Sequence, residues 1–365
     1  MTRLSYAIES EENAHKIIDS VRKAIGEALL KTTVGEGIDI LQIVKMVFVG
    51  NSAMLSLFSG KNYDLLVKPS SWMKYIECRP DDTSSLIDLW NICPNAVIDV
   101  IQPLAGFVGS DLLAGLLTVG ANDDQSKYLF VDFGTNSEIA LWNGDRLWTT
   151  SASGGPAFEG TGISCGMPAE PGAIFHVDLN ETEKPQLSVI PGKEASGICG
   201  SGMVDLIADL IKISVLNKFG SFISAFDPKG FLIKTEGRDL YLTKRDIDIF
   251  QRAKSAVCSG IQLLMHKAGV KVSDLDSLYI GGSFGYLLNI EKAQSIGLLP
   301  RIDLSKVKLC GNSALAGCEL LLLSSSFQEQ LNELVCKAEF INLSQSSDFE
   351  EYFFNNLFLS EMEIS

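Results

Sequence analysis

Apolar positions recur every three to four residues over 11–31, where Ala14, Ile17, Ile18, Val21, Ile25 and Leu29 form one stripe, so the pattern predicts an amphipathic helix. Ser10 stands where an N-cap belongs, and Glu11 and Glu12 suit the positive end of the helix. Met-Val-Phe-Val at 46–49 reads as a short buried strand running into Gly50-Asn51-Ser52, with a helical run from Ala53. Residues 61–100 mix Pro, Asp, Trp and Cys without a period and predict no element. A further apolar helix is expected over 109–117. Gly120-Ala-Asn-Asp-Asp124 then reads as a break between two lobes, 1–122 and 123–365.

The second part opens on strand patterns at 128–132, 138–142 and 146–150, the last two joined by Asn143-Gly144-Asp145, a hairpin signal. A Gly/Ser-rich loop occupies 151–166. Gly197-Ile-Cys-Gly-Ser-Gly202 opens a helix with Met203, Leu206, Ile207, Leu210 and Ile211 facing inward. Thr243-Lys-Arg-Asp246 has capping-box spacing, with Asp in place of Glu, ahead of a long helix that passes His266 and that Gly269 can close. Strands are expected at 277–282, into Gly281-Gly282-Ser283, and at 307–310, into Gly311-Asn312.

Two of these units recur. Val49-Gly50-Asn51-Ser52 matches Ile280-Gly281-Gly282-Ser283, and Gly109-Ser-Asp-Leu-Leu113-Ala114-Gly115 matches Gly311-Asn-Ser-Ala-Leu315-Ala316-Gly317, in the same order in each half. Shared order argues for an internal duplication. Asp132 precedes Gly281 by more residues than precede Gly50, so a counterpart of the 128–136 hairpin would fall before Met1, and no second Asp-x-Gly-Thr occurs. The expectation from this spacing is a first lobe that is incomplete at its N-terminus.

Composition narrows the classes. The 365 residues are 46% hydrophobic and 21% charged, a globular balance that allows two or three domains. Thirty Lys+Arg against forty-five Asp+Glu leave a net charge of −15, which repels phosphate backbones and anionic lipid, so nucleic acid and membrane are not expected partners. The start of the sequence has no apolar signal-peptide core, and no stretch approaches the apolar length of a membrane span, so a cytoplasmic location is expected. Eight cysteines contain no Cys-x-x-Cys, and seven residues separate the closest pair; with only three histidines, neither an iron–sulfur cluster nor structural zinc is expected from this chain. Buried thiols in a reducing compartment fit better.

The candidate chemistry lies in three glycine turns. At Asp132-Phe-Gly134-Thr135-Asn136 a strand ends in a carboxylate beside free N–H groups and a hydroxyl, suited to phosphate and to Mg²⁺ held through water on Asp132; the same residues also make ordinary hairpin turns. Gly200, Ser201 and Gly202 start a helix, where N–H groups and the dipole favour an anion, although close helix–strand packing also selects glycine. Gly281, Gly282 and Ser283 form the third turn. Three such turns together point to a nucleotide. Glu159, the one acid of its loop, could orient water or an Mg²⁺ shell, or cap backbone N–H groups.

VDFGTNSEIALWNG, SASGGPAFEGTGISCGMPAEPGAI, GICGSGMVDLIADL, YIGGSFGYLL and LCGNSALAGCELLL together resemble the C-terminal domain of the reductive activators of corrinoid proteins, which are ATPases of the acetate and sugar kinase, heat-shock chaperone and actin (ASKHA) superfamily. The resemblance runs over essentially the whole chain. It implies an α/β fold of duplicated ribonuclease-H-like lobes, the first truncated, and ATP with Mg²⁺ as cofactors. It carries the phosphate hairpin onto Asp132, Gly134, Thr135 and Asn136, the adenosine motif onto Gly281, Gly282 and Ser283, and a nucleoside-side lysine onto Lys254. By the same resemblance, the reaction returns a Co(II) corrinoid protein to Co(I) for methyl transfer, the partners are that corrinoid protein and an iron–sulfur electron donor, and a homodimer is one assembly open to the chain. With no cluster-forming cysteines and half the phosphate clamp absent, ATP turnover by this chain is left open. A nucleotide-binding regulatory or scaffold protein without turnover, and a small-molecule kinase, are the competing readings.

Overall fold

A computed structural model describes residues 2–120, 126–134, 136–154, 157–179, 185–223 and 229–363. Residues 121–124 of the expected break, Gly155 and Pro156 of the Gly/Ser loop, and Thr135 lie outside the described residues. The chain divides into two compact units, Met1–Asp123 with Ser313–Phe340, and Asp124–Asn312 with Ile341–Ser365. The return of Ser313–Phe340 to the first unit is not foreseen by a single boundary at 122/123.

In the first unit the expected helix runs over Glu11–Glu36. The Ser10 hydroxyl accepts from the Asn13 N–H, and Gly37, at φ +68°, closes the other end. Its stripe packs on the helix Ser52–Ser59 and on Ser84–Trp90, an element the sequence did not predict. Trp90 organises that segment from a distance: its Nε1 donates to the Arg22 carbonyl at 2.9 Å, and its ring stacks with Phe58 and meets Phe48. Strand Lys45–Phe48 pairs in parallel with Val97–Val100, in a two-stranded sheet. The helix Ser110–Leu117 is almost wholly buried, and Ser313–Leu323 packs on it so closely that a β-carbon on Gly317 would lie 2.1 Å from the Ala114 carbonyl.

The second unit is built on a sheet in which Val307–Gly311, Ser277–Gly281, Tyr128–Phe133, Ser137–Trp142 and Leu147–Ala152 lie side by side in that order. The first three are parallel; the last three form two antiparallel hairpins, as the alternation predicts. Tyr128–Phe133 is buried on both faces, the expected condition of a central strand. Helix Lys244–Ala268 crosses the hairpins, starting at the capping box of Thr243 and Asp246 and ending at Gly269 in the left-handed region. A second sheet, Pro185–Val189, Ala173–Leu179 and Gly197–Ile198, carries the helix Gly200–Lys212.

The duplicated motifs occupy matching places. In each case a strand is followed by the first glycine turn and a helix, then a parallel neighbour strand and the second glycine turn. The paired turns touch in both: Ser110 N–H donates to the Gly50 carbonyl at 3.0 Å, and Gly281 is in register with Gly311.

Candidate functional site

The site in the second unit is assembled at the C-terminal ends of two parallel strands, where open α/β sheets place ligands. Asp132, near the end of Tyr128–Phe133, is opposite Gly281 on one side and Glu138 across the hairpin on the other. The next residue of the glycine turn, Gly282, has φ +83°, and a β-carbon there would meet the Phe133 carbonyl oxygen at 2.3 Å and an Asp132 carboxylate oxygen at 3.0 Å. Glycine is needed at 282 on both counts. Two of the three predicted turns are therefore in contact, with the carboxylate between them.

The third turn approaches the same place. Cys199 is the N-cap of Gly200–Lys212 and supplies no side-chain cap. A β-carbon on Gly200 would lie 2.3 Å from the Phe158 carbonyl and 2.7 Å from the Phe284 ring, and one on Gly202 would lie 2.5 Å from the Ile174 carbonyl. Gly202 thus has the close helix–strand packing weighed from sequence. The Ser201 hydroxyl is buried and donates to the Phe175 carbonyl at 2.8 Å.

Between the turns sits an aromatic cluster. Phe158 stacks on Phe284 with centroids 5.0 Å apart, Phe133 meets Phe284 edge-on at 4.9 Å, and Phe250 closes the far side. A cavity of about 320 Å³ opens beside it, lined by Gly134, Glu159, Cys199, Gly200, Ser201 and Phe284 among others. This volume lies at the small end of ligand pockets. Sequence reasoning missed all four phenylalanines, although three of them adjoin a motif residue: Phe133 follows Asp132, Phe158 precedes Glu159, and Phe284 follows Ser283.

The Gly/Ser loop is held by a buried carboxylate. Asp246 accepts from the Ser164 N–H at 2.7 Å and hydroxyl at 2.6 Å, while serving the Thr243 cap through its N–H and hydroxyl at 2.9 and 2.7 Å. One residue on, burial pushes the Cys165 thiol up to about 12, with the Asp246 charge adding to the shift. Such a thiol stays protonated and inert. Burial also raises Cys310, to which the negative charge of Asp132 contributes.

Lys254 is not brought to this cavity. It is buried, donating to the carbonyls of Asn356 and Phe358 at 2.9 and 2.6 Å, and desolvation lowers its pKa. Asn136 accepts from the Gly134 N–H through its backbone carbonyl at 3.0 Å. Thr135 and the side chain of Ser283 lie outside what is described. Glu159 is exposed at the cavity mouth. Among the described residues, no group of three or more His, Cys, Asp or Glu is placed to hold a metal ion, and no helix is long and apolar enough to cross a membrane.

This combination of parallel strands, glycine turns and a carboxylate hairpin is that of an ASKHA domain. Residues 126–365 match the family described as the C-terminal domain of RACo, the ASKHA domain, and residues 1–124 match the RACo middle region. The chain belongs to this family. It is 34% identical to the corrinoid activation enzyme RamQ of Eubacterium limosum over 98% of this chain and 63% of the relative. It is 29% identical to the [Co(II) methylated amine-specific corrinoid protein] reductase of Methanosarcina barkeri over 99% of this chain and 69% of the relative. A solved reductive activator for corrinoid, iron–sulfur protein aligns with a TM-score of 0.83 at 29% identity, covering 99% of this chain and 60% of its own. The chain thus spans about two thirds of the length of the curated relatives it matches.

Proposed function

We propose that this chain is the ATP-binding module of a reductive activator that returns a Co(II) corrinoid protein to Co(I). The observation that carries the nucleotide part is the contact of the two turns at Gly282. Lacking a β-carbon, Gly282 leaves the Phe133 carbonyl and the Asp132 carboxylate at the lip of the glycine turn, a cradle that any side chain would fill. The donor set suits a phosphate chain and its cation. Asp132 would hold Mg²⁺ through water, while Gly134, Thr135 and Asn136 would face phosphate oxygens, and Gly281 to Ser283 the adenosine. Mg²⁺ supplies charge neutralisation when bound; Glu159, exposed at the cavity mouth, is suited to orient water there.

The corrinoid part rests on the relatives, whose names describe corrinoid activation and reduction. In this reading one electron from a separate iron–sulfur donor reduces Co(II) to Co(I), and the chain contributes nucleotide-linked binding of the corrinoid protein. Calorimetry with ATP and with adenosine, each with and without Mg²⁺, tests the module. Asp132→Asn is expected to weaken Mg²⁺-dependent ATP binding at least tenfold, about 1.4 kcal/mol, and to spare adenosine. Equal loss for both ligands would make Asp132 structural and remove the proposal's support. The corrinoid step is checked separately, by the Co(II) and Co(I) absorption bands of a corrinoid protein mixed with this chain, ATP and a reduced iron–sulfur protein.

A further inference from the structure

Helix Gly200–Lys212 buries two carboxylates, Asp205 and Asp209, one turn apart on the side that meets strand Ala173–Leu179. Each takes a main-chain N–H of that strand: Asp205 Oδ2 accepts from Val177 at 3.2 Å, and Asp209 Oδ2 from Leu179 at 2.9 Å. His176 Nδ1 lies 2.8 Å from the same Asp205 oxygen. Lys292, in the short helix Ile290–Ser295, sends Nζ to Asp209 Oδ2 at 2.9 Å and to the Val177 carbonyl at 2.8 Å. Buried charges persist where they are paired and hydrogen-bonded. Two buried carboxylates here share this ammonium.

The sharing is unequal. Asp205 Oδ1 is buried and has no hydrogen-bond partner among the described residues, and Lys292 Nζ stands 4.0 Å from it. Desolvation raises the Asp205 pKa, which the His176 hydrogen bond and the Lys292 charge offset only in part. An unmet buried oxygen is costly. A displacement of Nζ by about 1 Å, the size of helix shifts in switching proteins, would meet it. Asp209 would still hold the Leu179 N–H. Lys292 therefore has two acceptors on one helix face, with little between them in electrostatic cost.

Both elements lead to the cavity. Asp205 lies one turn after Ser201, which lines the cavity and whose hydroxyl donates to the carbonyl of Phe175, the neighbour of His176. Lys292 lies five residues after Leu287, which lines the cavity and directly follows the helix Gly282–Tyr286. Asn289 ties the lysine to that segment, its carboxamide oxygen accepting from the Lys292 N–H at 3.1 Å. Asp205 is the nearer of the two carboxylates to the Gly200 end of its helix. Passing Lys292 from Asp209 to Asp205 thus draws the Leu287 wall toward the Ser201 wall.

We propose that Lys292 is a positioning residue for the nucleotide cavity, and that nucleotide favours its pairing with Asp205 over its pairing with Asp209. This inference rests on the nucleotide reading given above. A ligand shifts such an equilibrium only by its differential affinity for the two arrangements.

Calorimetry with ATP and Mg²⁺ on the full chain compares Asp209→Asn with Asp205→Asn. Each variant takes one of two charges from the same ammonium, so a structural role alone would move ATP affinity in the same direction in both. Opposite directions are expected, with Asp209→Asn binding at least about threefold more tightly and Asp205→Asn at least about threefold more weakly. A crystal of the wild-type chain with a non-hydrolysable ATP analogue needs no variant and decides alone where a variant fails to fold. In it Nζ is expected within about 3.2 Å of Asp205 Oδ1 and beyond that distance from Asp209. Effects that are not opposite in direction, or an ammonium still on Asp209 beside the bound analogue, overturn the proposal and leave the nucleotide reading standing. A wild-type chain that binds no ATP overturns both.

Discussion

The carbonyl oxygen of Phe133 occupies the space that a β-carbon on Gly282 would need, 2.3 Å away. That one distance joins the carboxylate hairpin to the glycine turn, and it does so through backbone, which cannot step aside as a long side chain can. Gly282→Ala adds both the clash and the cost of holding alanine at φ +83°. The expected destabilisation is about 2–3 kcal/mol, read as a shift of the urea midpoint at constant slope. ATP binding should fall with it, because the turn must retreat from Asp132. A midpoint within error of wild type would mean that the two turns are not in contact.

Asp246 fastens the Gly/Ser loop and caps the long helix with the same carboxylate. Asp246→Ala leaves the Ser164 and Thr243 donors unmet, and a loss of about 3 kcal/mol is expected. Asp248→Ala, which breaks only the half-exposed pair with Lys244, should cost within about 0.5 kcal/mol. Comparable losses for the two variants would argue against the anchoring role.

The Cys165 thiol, pushed up to about 12, should be refractory to alkylation. At pH 8 roughly one part in ten thousand is thiolate, whereas Cys336 is exposed. Mass-resolved labelling of the folded protein is expected to find Cys336 modified first and Cys165 last. Equal rates would show that the loop opens readily.

Desolvation holds Lys254 below its ordinary value of 10.5. Its folded pKa is the lower one, so its stability contribution is present above 10.5 and is lost as the pH falls through the folded value. Between those two values the unfolded chain carries the extra proton, and stability rises with pH. The melting temperature of wild type relative to Lys254→Met should therefore climb as the pH is raised toward 10.5. A wild-type melting temperature that falls relative to Lys254→Met over that range would contradict the burial of an ammonium at this position.

Where local chemistry decides the structure, the sequence was enough. The Ser10 cap, the Thr243 and Asp246 box and the Asn143-Gly144 hairpin lie where their residues place them, because each is satisfied by neighbours within a few positions. Lys254 shows the opposite case. The resemblance places Lys254 at a nucleoside, but Gln251, Lys254, Ser255 and Gln262 donate to the carbonyls of Leu357, Asn356, Phe353 and Glu363, about a hundred positions further along the chain. Polar groups buried against a distant backbone leave no hydrophobic signal. The helix Ser84–Trp90 was illegible for a related reason, since Trp90 is fixed by Arg22 and Phe58, far along the chain. Phe133, Phe158 and Phe284 stand singly among the glycines and polar residues of the turns, so no apolar period marks them.

The seat that Gly317 finds on Ala114 has a consequence for synthesis. A ribosome delivers Ser110–Leu117 long before Ser313–Leu323, and the donors of Lys254 long before the carbonyls of 356–358. Neither unit can reach its finished packing while translation is still inside the other. During that interval the face of Ser110–Leu117 that Ser313–Leu323 covers is open to chaperones, and a pause placed ahead of residue 313 would lengthen the exposure more than any pause placed after it.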